Sequence, residues 1–212
     1  MSADLTLTLT PTLYNLPGDI YDTIAAFLPN PDLFHFLTLS PHISVSDYLL
    51  WHRKWEQVSL RQLAAEGDLK GVQYKLQQKK NTITTEEVMV FAAYGGQLAV
   101  VQYLHRIGAP CATQAMDFAA YNGHLVVMQY LHSIGASCTT EAMDHAACNG
   151  HLAVVKFLHS IGASCTAEAI YEASSHGHVA VVRFLKSIGM TFDSTKLINT
   201  VKYREVLMLM LI

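Results

Sequence analysis

The chain contains two consecutive stretches that are almost copies of each other: ATQAMDFAAYNGHLVVMQYLHSIGASC (112–138) and TTEAMDHAACNGHLAVVKFLHSIGASC (139–165). Glycines extend the same 27-residue period over the neighbouring sequence. They form two series: Gly96, Gly123, Gly150 and Gly177, then Gly108, Gly135, Gly162 and Gly189. A fixed period of this length indicates a repeat protein, in which no unit can bury its apolar faces without a stacked neighbour.

Each unit predicts two short helices. In 139–165 the first helix is expected from roughly Thr140 to Cys148, where Asn149-Gly150 ends it because both residues tolerate a left-handed backbone. Helical spacing predicts that its buried face consists of Ala142, Met143, Ala146 and Ala147. The second helix is expected to begin near His151 and to end at Gly162, after Ile161. Its predicted buried residues are Leu152, Val154, Val155 and Leu158.

The pattern AAxNGHLxVVxxLxxxGA resembles the helix-turn-helix of an ankyrin repeat, whose usual period is about 33 residues. The shortfall lies between Cys138 and Glu141, where ordinary ankyrin repeats build a β-hairpin, so we expect very short hairpins or none. Short, His-rich units of this kind resemble the ankyrin arrays of protists and of the giant viruses that infect them. Degenerate units at 63–76 and 193–212 extend the array to about six units over 61–212.

The segment LPGDIYDTIAAFLPNPDLFHFLTLS (16–40) does not follow the repeat. Its apolar spacing predicts short helices, which Pro29 and Pro31 interrupt and Asp32 can cap. The opening Leu-Pro, the FL-x₃-DL core, Ser40 and a closing Leu-Trp resemble an F-box over 15–57. The stretch that follows Ser40 is shorter than usual for that family. The predicted fold is therefore all-α, with an F-box-like three-helix module followed by an ankyrin-type solenoid. An N-terminal segment, 1–14, precedes them, and the sequence leaves its order open.

The F-box resemblance implies docking on the Skp adaptor of a cullin-RING ubiquitin ligase. The chain would then be a substrate receptor whose array binds the target, in a host cell if the protein is viral. The residues that the resemblance implies for adaptor binding are Leu16, Pro17, Ile20, Ile24, Phe27, Leu33, Phe36 and Trp51. The alternative is a ligase-independent ankyrin scaffold or masking protein, in which the N-terminal helices only cap the stack.

Three columns of the alignment vary between units whose other positions hardly change. They are Phe91, Phe118, His145 and Glu172; Tyr94, Tyr121, Cys148 and Ser175; and Val90, Asp117, Asp144 and Tyr171. The matching first-helix positions of ankyrin arrays face the binding surface, and variation suggests a face that is free of packing demands. The predicted target-binding residues are Phe91, Tyr94, Asp117, Phe118, Tyr121, Asp144, His145, Tyr171 and Glu172. Neutral drift at solvent-exposed sites is an equally good explanation of this variation.

Cysteines and histidines recur once per unit, which is what repetition of one ancestral residue produces. Stacked helices lie about 8–10 Å apart, too far for a disulfide, so Cys111, Cys138 and Cys165 are expected in the core. The histidine ladders are His124, His151 and His178, then His105, His132 and His159. His145-x-x-Cys148 and His176-x-His178 show only fragments of metal-ligand spacing, so we expect structural or surface roles, no metal and no cofactor. No catalytic motif is present, and an enzyme is not expected.

Charged residues make up 15% of the chain and its formal net charge is −3. Without clustered bases, a nucleic-acid partner is not expected. No stretch approaches the roughly 20 apolar residues that span a bilayer, and the N-terminus does not resemble a secretory signal. With four cysteines and no export signal, we expect a cytoplasmic or nuclear protein with no membrane partner. The wholly apolar segment 206–212 suggests self-association as a homodimer. The alternative is a terminal repeat that caps the array with an apolar outer face.

Overall fold

The computed structural model describes residues 54–78, 83–190 and 193. The chain divides between Val58 and Ser59 into two units, and the helices below belong to the second. Over these residues the regular secondary structure is helical, with no strand. In chain order the helices are α1 (Leu60–Glu66), α2 (Leu69–Gln77), α3 (Thr85–Tyr94), α4 (Leu98–Arg106), α5 (Thr113–Tyr121), α6 (Leu125–Ser133), α7 (Thr140–Cys148), α8 (Leu152–Ser160), α9 (Glu168–Ser175) and α10 (Val179–Ser187).

The predicted first helix of 139–165 is confirmed as α7, Thr140–Cys148. It begins after Thr139, whose hydroxyl oxygen accepts a hydrogen bond from the Glu141 N–H at 3.1 Å. This cap satisfies one of the backbone donors that a helix start leaves free. The helix ends at Asn149-Gly150 as predicted, with the left-handed backbone at Gly150, whose φ is +74°, while the φ of Asn149 is −93°. The Asn149 amide donates to the Tyr121 carbonyl at 3.0 Å.

The helices form two layers. Neighbouring odd-numbered helices pack closely against one another and form one layer. The even-numbered helices form the second layer, in which neighbours pack less closely. Small residues explain why the odd-numbered helices pack closely, because pairs such as Ala119-Ala120 and Ala146-Ala147 are wholly buried. The predicted buried face of α7 is confirmed, as are Val154, Val155 and Leu158 of α8. Leu152 is only half-buried, because it opens α8 at the edge of the stack.

Each unit's turn is completed by the unit that follows it. The Nε2 atoms of His124 and His151 lie 3.0 and 3.1 Å from the carbonyl oxygens of Tyr94 and Tyr121. A carbonyl can only accept, so each ring donates from Nε2. In the first histidine ladder, His124 and His151 therefore join successive repeats. In the second ladder, each ring packs edge to face on an aromatic ring of the next unit, as in the pairs His105–Tyr130, His132–Phe157 and His159–Phe184.

Several sequence predictions lie outside the described residues. The F-box-like module is described only over its last few positions, and the apolar segment 206–212 is not described. Their helices, the domain boundaries and the homodimer stay predictions. Across the described ranges, no helix is long and apolar enough to cross a membrane.

Candidate protein-binding face

The outward-facing positions of α3, α5, α7 and α9, with Ser175 closing α9, form one surface of the array. We call it the first-helix face. All of its members are exposed or half-buried. They are Phe91, Tyr94, Phe118, Tyr121, His145, Cys148, Glu172 and Ser175, the first two variable columns of the sequence.

Aromatic side chains dominate one end of this face. Tyr94, Phe118 and Tyr121 leave 44%, 42% and 40% of their surface exposed. Exposed Tyr and Phe side chains clustered on one surface are typical of binding sites for other proteins, since they bury a large area with few rotatable bonds. The structure thus brings together the aromatic residues that the sequence predicts for target binding.

Contacts along the face repeat at a 24-residue offset. Tyr94 meets Phe118 edge to face with ring centroids 6.1 Å apart, and Tyr121 meets His145 in the same way at 5.5 Å. In each pair the first residue ends one odd-numbered helix, and the second lies in the middle of the next. The face is therefore continuous across the boundaries between repeats.

An open cavity of about 460 Å³ adjoins the aromatic end. Phe91 lines this cavity, and the Arg61 guanidinium lies 5.4 Å from the centroid of the Phe91 ring. Arg61 also approaches the Glu87 carboxylate at 3.8 Å. The lining residues are Ser59, Arg61, Gln62, Ala65, Val90, Phe91, Tyr94 and Phe118. An apolar cavity whose lining includes one arginine can accept an apolar or aromatic side chain from a partner.

The third variable column joins neighbouring repeats. The carboxylate of Asp117 accepts hydrogen bonds from the Thr139 N–H at 2.9 Å and from its hydroxyl at 3.0 Å. Asp144 accepts the same two bonds from Thr166 at 2.9 and 2.8 Å. The Tyr171 hydroxyl accepts from the Asp193 N–H at 2.7 Å. Three members of the third column, Asp117, Asp144 and Tyr171, are therefore hydrogen-bonded to the start of the next unit.

The premise that this column is free of packing demands is wrong for Asp117 and Tyr171. Only 7% and 6% of their surface is exposed, because each lies under the start of the next unit. The sequence carries a signal of this role, since residues 22 positions apart change together. The pairs are Val90 with Ala112, Asp117 with Thr139, Asp144 with Thr166, and Tyr171 with Asp193. Target binding by this column stays a prediction.

The other end of the face carries three groups that could bind a metal ion. The Cys148 thiol, the Glu172 carboxylate and the His176 imidazole place one ligand atom each within 4.8 Å of one another. Cys148 Sγ lies 4.0 Å from His176 Nδ1, and that nitrogen lies 3.6 Å from Glu172 Oε2. Sequence spacing missed this cluster because Cys148 and the other two groups belong to different repeats.

All four cysteines are free and half-buried. The ladder expected in the core therefore lies at its edge, where Cys165 Sγ contacts Met190 Sδ at 3.3 Å. Burial raises the pKa of all four thiols above the usual value. For Cys148 the Glu172 carboxylate raises the pKa further. These thiols are consequently protonated at neutral pH and are weak nucleophiles.

The predicted adaptor-binding residues, from Leu16 to Trp51, lie outside the described residues. Their role in docking stays a prediction.

Helix pairs stacked in two layers at a 27-residue period, with a glycine turn inside each pair, define an ankyrin-type array. Neither a protein-family model nor a curated protein matches the chain. Among solved structures, the human ASB11 ankyrin repeat domain is similar, with a TM-score of 0.60 and 18% sequence identity. The similarity covers 73% of this chain and 83% of that one. It confirms the ankyrin-repeat fold, while the F-box and the likeness to protist and viral arrays stay predictions.

Proposed function

We propose that this protein is a protein–protein interaction adaptor whose ankyrin-type array binds a target through the first-helix face. The observation that carries the proposal is the exposure of Tyr94, Phe118 and Tyr121 on adjacent repeats. These three large rings are exposed close together on one face, and burial of their apolar surface by a partner would be favourable.

The finer proposal is that the adaptor serves a Skp/cullin/F-box ubiquitin ligase. Its support is the F-box-like sequence over 15–57, which precedes the repeat array in the chain. The protein would do no chemistry itself and would act by raising the concentration of a bound target near the ligase. A ligase-independent scaffold is the alternative, and it needs only the array.

Co-expression with a Skp adaptor separates these two functions. The full chain and a Leu33→Asp/Phe36→Asp variant are each co-purified and analysed by size-exclusion chromatography with light scattering. Circular dichroism checks that the variant is folded. A 1:1 complex that the folded variant loses supports the ligase receptor. The absence of a complex contradicts it, and the same light-scattering mass reports whether the chain alone is a monomer or a homodimer.

A second experiment tests the binding face itself. Proteins captured by the wild-type chain are compared with those captured by Tyr94→Ala/Phe118→Ala and by the control Ile107→Ala/Val126→Ala. Ile107 and Val126 are also exposed apolar residues, but they lie outside the first-helix face. A partner retained by the control and lost by the aromatic variant supports the proposal. Equal losses of captured partners in both variants would indicate nonspecific hydrophobic binding and would contradict the proposal.

A further inference from the structure

The last contact along the first-helix face differs in chemistry from the equivalent contacts before it. Three positions recur at each boundary between repeats, with the same spacing in the sequence. The successive sets are Tyr94, Phe118 and Asn122; Tyr121, His145 and Asn149; and Cys148, Glu172 and His176. All three positions change in the last set, and each change introduces a group that binds metal ions.

The third position, where histidine replaces asparagine, shows how the change of residue alters the contact. In the earlier sets the amides of Asn122 and Asn149 donate to the carbonyls of Tyr94 and Tyr121, at 2.8 and 3.0 Å. His176 occupies the same position, but its Nδ1 atom faces the Cys148 thiol and the Glu172 carboxylate. At the earlier boundaries this position makes a hydrogen bond to the backbone of the previous repeat. At the last boundary it places a side-chain ligand next to two others.

The distances are close to those of a tetrahedral zinc site. Zn–S, Zn–N and Zn–O bonds of about 2.3, 2.0 and 2.1 Å separate the ligand atoms by about 3.3–3.6 Å. The observed separations are 4.0 Å from sulfur to nitrogen and 3.6 Å from nitrogen to oxygen, and the three ligand atoms all lie within 4.8 Å of one another. Glu172 and His176 belong to one helical turn, and their side chains are 47% and 52% exposed. Binding therefore requires the Glu172 and His176 side chains to change their torsion angles so that the remaining gap closes.

An ion at this site competes with two hydrogen-bonding partners. The Nδ1 atom of His176 lies 2.9 Å from the Glu172 carbonyl oxygen and 3.1 Å from Ser175 Oγ. A metal on Nδ1 replaces these contacts and requires the ring proton on Nε2. The ring also stacks on His178 at 6.1 Å between centroids, which limits its rotation.

We propose that Cys148, Glu172 and His176 bind one zinc ion between the repeats of α7 and α9. One sulfur, one nitrogen and one oxygen ligand suit zinc better than the hard cations magnesium and calcium, which prefer oxygen alone. Three protein ligands leave a fourth position of the tetrahedron to solvent, on the first-helix face. The site therefore adds an ion-binding function that does not depend on the identity of any protein target.

Cobalt, which substitutes for zinc, gives a direct test in the full chain without a histidine tag. The metal-free protein is titrated with Co²⁺ alone, the absorption of a thiolate–cobalt bond is recorded, and Zn²⁺ is then added in competition. The site variants are Cys148→Ser and His176→Asn, the second of which installs the residue found at 122 and 149. The matched controls are Cys165→Ser and His132→Gln, which alter a half-buried cysteine and an exposed histidine elsewhere.

The wild type and both controls are expected to bind one equivalent of Co²⁺ with a thiolate band that Zn²⁺ abolishes. Cys148→Ser should lose the band, and His176→Asn should bind about tenfold more weakly or worse. Circular dichroism establishes that each variant is folded. A wild type without a thiolate band, a band that survives in Cys148→Ser, or unchanged affinity in His176→Asn would each overturn the proposal.

Discussion

At one end of the first-helix face, Tyr94 and Phe118 meet edge to face, with 6.1 Å between ring centroids. At the other end, Cys148 approaches Glu172 and His176, with 4.0 Å from its sulfur to the imidazole nitrogen. The backbone positions and the 24-residue offset are the same. The difference shows that the repeat sets which positions meet, while the residues placed there decide what the contact can bind.

Transplanting the ligand set tests this comparison with the largest expected effect. The variant Tyr121→Cys/His145→Glu/Asn149→His installs the residues of the last boundary at the preceding one. Because the scaffold positions are equivalent, we expect the bound cobalt to rise from one equivalent to about two. Titration monitored by the thiolate band measures the stoichiometry.

The control for the transplant is Tyr121→Cys alone, which supplies a thiol without the other two ligands and should stay at one equivalent. A folded triple variant that binds no second ion would show that equivalent positions do not suffice. The geometry of the last boundary would then be special.

Gly150→Ala should disturb the Cys148, Glu172 and His176 cluster through the neighbouring ring of His178. Gly150 has a φ of +74°, and a Cβ atom there would lie 2.5 Å from His178 Nδ1. We expect a loss of about 2 kcal/mol in the free energy of unfolding, from backbone strain and the displaced ring. Because His178 stacks on His176, cobalt binding should also weaken.

Gly162→Ala is the matched control, with a similar φ of +78° and no atom within 4 Å of the added Cβ. It should lose only about 1 kcal/mol and retain cobalt affinity. Urea unfolding and cobalt titration of both variants make the comparison. Equal effects would mean that the His178 contact has no influence.

Asp117→Ala and Asp144→Ala compare the same contact in two adjacent repeats. Both carboxylates bind the threonine that starts the next unit, but Asp117 is buried and Asp144 is half-exposed. Removing Asp117 breaks two part-buried hydrogen bonds and empties a buried position, which should cost about 1–2 kcal/mol. Water can replace Asp144 on the exposed Thr166, so that loss should stay below about 1 kcal/mol.

Urea unfolding of both alanine variants under identical conditions measures the difference. An equal loss of stability would show that burial does not distinguish the two contacts.

The smallest expected effect is a pH dependence at Asp117. Burial, the largest cause, raises the pKa of this carboxyl, while its bonds from Thr139 lower it less. With a folded pKa above the unfolded one, the part of the stability that comes from protonation of Asp117 is complete below the unfolded pKa and is lost as pH rises through the folded pKa. The wild type should therefore lose stability relative to Asp117→Asn over that interval. Urea unfolding at several acidic pH values measures both proteins. Free energies of unfolding that change equally with pH in the wild type and in Asp117→Asn would contradict this assignment.

The sequence predicts most of the repeat correctly, because its information is local. The alanine pair, the glycine turn and the apolar spacing lie within one unit, and α7 has the predicted bounds. Burial of Asp117 was not predicted, because its partner Thr139 lies 22 residues away and variation in a column does not distinguish exposure from specialised packing. The ligand cluster was missed for the same reason, since its groups come from two repeats.

The hydrogen bonds between repeats all depend on the next unit along the chain. His124 binds the Tyr94 carbonyl at the end of α3, and Thr139 binds the Asp117 carboxylate of α5. During synthesis, a helix pair leaving the ribosome would therefore lack these partners until about one further repeat had followed it. Folding on the ribosome should thus lag translation by one unit, and a stalled chain should carry one unfinished repeat at its growing end.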